Sequence, residues 1–155
     1  MTAPRRVLLV CGSRTLARIK GAEAWGMEIL RRETAWLRAG DHLLTGAATG
    51  PDCWARMALP EGPVAVEYLP SGMRVEHGLV MTVRAWTLAP ERDPRLAPLA
   101  RNRAMVAGVQ RAMAAGWEGR CVGLLDPAST THGTKYTLRI AREAGIPVVR
   151  HSFEG

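Results

Sequence analysis

The chain alternates between short apolar runs and longer amphipathic segments, and this alternation limits its fold more than any other feature. Five runs rich in apolar side chains are typical of strands buried on both faces. They cover residues 7–11, 42–45, 64–68, 121–125 and 147–150. Between them, residues 22–38, 51–59, 99–115 and 134–144 carry apolar side chains at helical spacing.

Strands that alternate with helices predict a parallel sheet with helices packed on both of its faces. We therefore expect an α/β fold, a three-layer Rossmann-like domain with a mainly parallel five-stranded sheet. The 155 residues fit one domain that spans residues 1–155. In such sheets ligands bind beyond the carboxyl ends of the strands, where the strand order reverses.

One segment, residues 70–97, does not fit the alternation. It is too long for a plain strand-to-helix connection, and residues 75–88 are rich in apolar side chains. We expect an insertion here that forms an added hairpin, a lid or an oligomer contact.

The net charge of +7 favours an anionic partner. Only Lys20 and Lys135 are lysines, so arginine carries almost all of the positive charge. A guanidinium group binds planar anions through two hydrogen bonds at once. The partner is then a nucleotide or a nucleic acid, unless a coding bias toward arginine explains the composition.

Several classes of protein are excluded by what the sequence lacks. No apolar run approaches the roughly 18 residues of a membrane helix, and the apolar run after the basic N-terminus is short for a signal peptide. We therefore expect a cytoplasmic protein. The cysteines Cys11, Cys53 and Cys121 form no Cys-x-x-Cys pair, so neither a metal site nor a disulfide framework is predicted, and no cofactor is implied.

Two glycine-containing turns follow the first two predicted strands. The first contains Gly12, Ser13 and Arg14, which offer a close backbone approach, a hydroxyl and a fork of donors to a phosphate. An ordinary strand-to-helix turn would look the same.

The second turn precedes a helix start and carries small residues, whose N–H groups can face a phosphate. Its candidate ligand-binding residues are Gly46, Ala47, Gly50 and Asp52. Asp52 either complements the helix dipole or binds a ribose hydroxyl.

Two further groups of polar residues fall at helix starts near the same edge of the predicted sheet. Arg101 and Asn102 precede Met105 by four and three residues, so both point toward the inward side of their helix. Gly133 and Thr134 open the last helix and offer N–H and hydroxyl donors to a phosphate, or serve only as its cap. The loop residue His132 is a candidate acid or base.

The order of these motifs resembles the YspA-like branch of the SLOG superfamily. The match covers most of the chain except residues 70–97, and the Arg101-Asn102-x-x-Met105 motif is its most specific part. Thr45 stands where the family usually has glycine, and Pro51 where it usually has alanine. The resemblance implies a Rossmann-like fold, a pocket for nucleotide-derived ligands such as ADP-ribose, and a homodimer, for which residues 75–88 are the candidate contact.

Two relatives in that superfamily suggest alternative activities. The LOG phosphoribohydrolases use a glutamate at the position of Thr137, and threonine can neither stabilise a ribosyl cation nor activate water. DNA-processing protein A binds single-stranded DNA, for which base-stacking aromatic residues are expected.

The expected function is therefore binding of a nucleotide or nucleotide-derived phosphate ligand (AMP, ADP-ribose or NAD-like), as a sensor or carrier. A nucleotide N-glycosidase that uses Asp52, Glu76, Glu91 or another carboxylate is the alternative, and single-stranded nucleic-acid binding rests on the charge alone. Catalytic residues are not identified, and neither a metal nor a membrane partner is expected.

Overall fold

The computed structural model describes residues 3–69, 73–76, 79–82 and 97–155. These residues form one sheet of seven strands with helices on both faces. The strands are β1 (Arg6–Gly12), β2 (His42–Gly46), β3 (Val64–Tyr68), β4 (Met73–Glu76), β5 (Leu79–Thr82), β6 (Glu118–Leu125) and β7 (Val148–Ser152). The helices are α1 (Ala22–Thr34), α2 (Pro51–Ala58), α3 (Ala97–Ala114) and α4 (Gly133–Glu143), with a short 3-10 helix at Arg14–Arg18.

The strand order is β5-β4-β3-β2-β1-β6-β7. The pairs β3-β2, β2-β1, β1-β6 and β6-β7 are parallel. After β1 the chain moves outward to β2 and β3, and it later returns to the other side of β1 with β6. The strand order therefore reverses between β1 and β6, which confirms the mostly parallel, Rossmann-like α/β layout predicted from the alternation.

The predicted count of five strands is wrong, because residues 73–82 add two more. β4 pairs antiparallel with β3, and β5 pairs antiparallel with β4. Of the three roles considered for residues 70–97, the described part thus forms an added hairpin on the sheet edge. Residues 83–96, with Trp86 and Glu91, lie outside the described residues.

The side chains of β1 alternate between two apolar cores, as a strand buried on both faces requires. Leu9 packs with Met105 and Val109 of α3, whereas Leu8 packs with Leu30 of α1. All five are fully or almost fully buried, and each contributes about 1.5–3 kcal/mol of burial free energy. These two cores fix the helices against the sheet and so set the positions of the loops at its carboxyl edge.

Helix α1 ends at Thr34, four residues before the predicted end. The Thr34 hydroxyl donates to the carbonyl of Leu30 at 2.7 Å, and the chain then turns with the Leu37 N–H bonded to the Thr34 carbonyl at 3.0 Å. The buried Asp41 carboxylate accepts the Arg38 N–H at 2.6 Å. These bonds stabilise a turn where the apolar pattern alone predicts further helix.

Within residues 3–69, 73–76, 79–82 and 97–155, no helix combines the length and the apolar character that a bilayer crossing requires. The same residues contain no cluster of three or more histidine, cysteine, aspartate or glutamate side chains suited to a metal ion.

Candidate functional site

An open cleft of about 480 Å³ lies at the carboxyl edge of the sheet, between the first turns of α3 and α4. Its position matches the point where the strand order reverses, and its volume is within the roughly 300–1,000 Å³ of small-molecule sites. The residues that line it and were predicted from sequence are Gly12, Ser13, Arg14, Ala47, Asp52, Arg101, Asn102, Gly133 and Thr134. The cleft therefore brings together residues from all four predicted motifs.

Ser13 joins the ends of the two strands at the reversal point. Its backbone N–H donates to the Leu124 carbonyl at 2.9 Å, and its Oγ accepts the N–H of Asp126 at 3.1 Å. Ser13 is buried, and its hydroxyl oxygen is already engaged in this hydrogen bond within the protein. The Asp126 carboxylate accepts the hydroxyl of Thr15 at 2.6 Å and the N–H of Ala128 at 3.0 Å, and thus holds the loops on either side.

Gly12 is required by the start of α2. A Cβ at this position would lie 2.3 Å from Cγ of Pro51 and 3.0 Å from the Leu124 carbonyl oxygen. Pro51 is the first residue of α2, where its missing N–H leaves no helical bond unmade. The close packing of these two residues seats α2 against the end of β1.

Asp52 and Arg101 form the charged floor of the cleft, and both lie beside Gly46. A Cβ on Gly46 would lie 2.6 Å from Nη1 of Arg101 and 2.8 Å from Oδ2 of Asp52. Both charged side chains are buried, and Asp52 Oδ2 accepts the N–H of Ala48 at 3.2 Å. Glycine at position 46 therefore leaves the space in which the two charges face each other.

Burial away from water has the largest effect on the pKa values of both charged groups in this floor. Burial raises the pKa of Asp52 to about 6, although Arg101 and the N–H of Ala48 lower it in part. Burial also lowers the pKa of Arg101, against the opposing effect of Asp52. The Arg101 guanidinium is held by a 2.8 Å bond from Nε to Oδ1 of Asn102 and a 3.4 Å bond to the carbonyl of Tyr68.

Beside this charged floor, the cleft offers hydrogen-bond donors that the described residues leave unused. Asn102 is buried, and its Nδ2 lies 3.9 Å from the Cβ position of Gly133 at the start of α4. Helix α4 has no side-chain cap and no acid in its first turn, so its first N–H groups keep their partial positive charge. The exposed Arg14 guanidinium makes no hydrogen bond or ion pair with the described residues.

The wall on the α3 side is apolar, and it was not predicted as part of the site. Leu99 and Met105 lie three residues before and after Asn102, and both line the cleft with Pro98. Tyr136 of α4, three residues after Gly133, adds an aromatic ring. Helical spacing from the predicted Asn102 and Gly133 would have identified these residues, because side chains at i and i+3 share a face.

Gly46 and Gly50, two of the predicted ligand-binding residues, are not among the residues that line the cleft. Gly46 lies behind the charged floor. Gly50 precedes α2 with φ of 83°, a left-handed value that favours glycine, and its Cβ position is 3.5 Å from the Ser13 carbonyl oxygen. Both glycines position other residues.

Three further titratable or hydroxyl side chains line the cleft, and they differ in whether they are available for chemistry. The Thr137 hydroxyl donates to the Gly133 carbonyl at 2.9 Å inside α4. His132 is exposed at the cleft rim. A hydrogen bond with Cys121, together with burial, raises the pKa of the Cys11 thiol well above its ordinary value, so Cys11 is a poor nucleophile.

The described tryptophans and Glu76, which were considered for the alternative activities, lie outside the cleft. Trp54 is buried in the core on the α1 side, and Trp25 and Trp36 pack against that same core. Trp117 stacks edge-on against His42. Among the described residues no tryptophan lines the cleft, and Glu76 lines a second cavity instead.

The structure is an α/β domain with a polar, donor-rich cleft at the reversal point of a mostly parallel sheet. The chain matches no protein-family model, no curated protein and no solved structure.

Proposed function

We propose that this chain binds a nucleotide or a nucleotide-derived phosphate ligand in the cleft. The observation that carries the proposal is the imbalance of hydrogen-bonding groups there. The Asp52 carboxylate already faces Arg101, whereas Arg14, Nδ2 of Asn102 and the first turn of α4 offer donors without partners among the described residues. A phosphate supplies the missing acceptors and the negative charge.

The rest of the cleft suits the remainder of such a ligand. Leu99, Met105 and Tyr136 offer an apolar and aromatic surface for a base. Asp52 also lines the cleft, and its carboxylate can accept a bond from a ribose hydroxyl. A cleft that combines polar donors with an apolar and aromatic surface matches a molecule that carries both a phosphate and a base.

The sequence resemblance to the YspA-like branch of the SLOG superfamily supports the same class of ligand. AMP, ADP-ribose and NAD are the first candidates, and a sensor or carrier role follows from binding without turnover. The LOG-type glutamate is replaced by Thr137, whose hydroxyl is bonded within its own helix.

A thermal-shift panel of AMP, ADP-ribose and NAD, followed by product analysis of each hit, tests the proposal. A ligand at a hundred times its Kd adds about 2.7 kcal/mol to the free energy of unfolding, so a true ligand raises Tm by several degrees and is recovered intact. Arg14→Ala should weaken binding about tenfold or more, because a hydrogen bond to a charged group is lost.

Arg18→Ala is the matched control, because Arg18 is exposed in the same 3-10 helix and does not line the cleft. If Arg14→Ala and Arg18→Ala bind every hit with the same affinity, the proposed phosphate position is wrong.

Asp52 favours one alternative, a nucleotide N-glycosidase of the LOG type with a replaced acid. A carboxyl group with a pKa of about 6 in a ligand cleft can hold or release a proton near neutral pH. Release of free base from any nucleotide, abolished by Asp52→Asn, would establish this activity in place of simple binding.

A further inference from the structure

A second cavity of about 310 Å³ lies on the sheet face under α3, away from the cleft. Residues of β1 to β4 form one side of it, and the C-terminal half of α3 with Trp117 forms the other. It shares no described lining residue with the cleft. An occupant of this cavity is therefore a separate ligand, and the inference does not depend on the proposed function.

The floor of the second cavity is apolar, and one wall is aromatic. Val7, Leu44 and Val66 present aliphatic side chains from three adjacent strands. Trp117 meets the ring of His42 edge-on, with ring centroids 4.9 Å apart. These surfaces fit the body of a small apolar or aromatic molecule.

The rim carries a buried donor that lacks an acceptor. Nη2 of Arg74 pairs with Oε2 of Glu76 at 3.3 Å, but Nε of Arg74 is buried without a hydrogen-bond partner among the described residues. Arg111 from α3 adds a second cation beside the cavity.

We propose that this second cavity binds a small organic monocarboxylate with an apolar or aromatic body. The carboxylate pairs with the guanidinium groups of Arg74 and Arg111, which line the cavity, and the body rests on Val7, Leu44 and Trp117. The two arginines outweigh the single Glu76, so one negative charge is favoured. Glu76 at the same rim repels a second one, and this selects a carboxylate over a phosphate dianion.

Calorimetric titration with benzoate, indole-3-acetate and hexanoate at pH 7.5 tests the proposal, with benzamide as the uncharged counterpart of benzoate. At least one carboxylate should bind saturably, and benzamide about tenfold more weakly or not at all. The indole N–H resonance of Trp117, assigned with Trp117→Phe, should shift during the titration.

Arg74→Gln should weaken carboxylate binding about tenfold or more, whereas Arg14→Ala in the cleft should leave it unchanged. Ala112→Leu, which fills the cavity from α3 without altering its charge, should also abolish binding and keeps the test open if Arg74→Gln does not fold. Absence of saturable binding by all three carboxylates would overturn the proposal. Equal affinity of wild type, Arg74→Gln and Ala112→Leu would do the same.

Discussion

The Asp52 carboxylate and the Arg101 guanidinium both lie close to Gly46 and leave no room for a methyl group there. A Cβ at position 46 would stand 2.8 Å from the first group and 2.6 Å from the second. Both distances are shorter than van der Waals contact allows. Gly46, which has no side chain, thus leaves the space that the two charged groups occupy.

Gly46→Ala should therefore displace the charged floor and destabilise the protein. Overpacking of this kind costs about 1–3 kcal/mol, measurable as a lower midpoint of urea unfolding, and ligand affinity should fall with it. Gly133→Ala is the control, since its Cβ position has only an ordinary contact at 3.9 Å. Equal stability of the two variants would contradict the tight fit at Gly46.

Loss of the Asp52 proton should lower the free energy of unfolding as the pH rises from about 4 to 6. Its folded-state pKa of about 6 lies above the unfolded value near 4, so the folded state holds the proton more tightly in this window. Asp52→Asn removes this dependence. The free energy of unfolding of Asp52→Asn relative to wild type should rise by about 2 kcal/mol over the window.

Urea unfolding at intervals between pH 4 and 7 measures this difference, and the exposed Glu61→Gln provides the reference. Parallel pH profiles for wild type and Asp52→Asn would show that burial does not raise this pKa.

Ser13→Ala should destabilise the junction between β1 and β6. The substitution leaves the buried N–H of Asp126 without the acceptor that now lies 3.1 Å away, at a cost of about 1–3 kcal/mol. Thr130→Ala, at an exposed position of the following loop, should change stability little. Hydrogen exchange of the Asp126 amide should accelerate in Ser13→Ala alone, and unchanged protection would rule out this bond.

Asn102→Asp should separate the structural role of this side chain from its role toward a ligand. The new carboxylate still accepts the Arg101 Nε–H, now 2.8 Å from Oδ1, and it lies near the positive end of α4, so stability should hold or rise. The lost Nδ2 donor and the added charge should weaken phosphate-ligand binding about tenfold or more.

Gln110→Glu adds the same charge at an exposed position of α3 and should leave ligand affinity unchanged. A similar loss of affinity in both variants would mean that overall charge, and not the Asn102 amide, governs binding.

The alternation of apolar runs was enough to predict most of the layout. Five of the seven strands and all four α-helices of the described residues appear where the spacing of apolar side chains places them, within a few residues at the ends. The hairpin β4-β5 was only one of three options for its segment. Its two strands have four residues each, which is too short for the spacing of apolar side chains to identify them.

The candidate site was predicted less completely, and the reason is geometric. Arg101 and Asn102 point inward because they precede the buried Met105 by one helical turn, which spacing reveals. That Ser13 accepts a bond from Asp126, more than a hundred residues later, depends on the strand order. The supporting role of Gly46 depends in the same way on α3 returning over β2.

The close packing of Gly12 against Pro51 restricts which residues the chain can carry at position 12. Because a Cβ at position 12 would overlap the Pro51 ring at 2.3 Å, position 12 cannot accept a side chain while Pro51 stays in place. Divergent copies of this chain should therefore substitute the two positions together, and a library that randomises both should recover folded pairs that single substitutions miss.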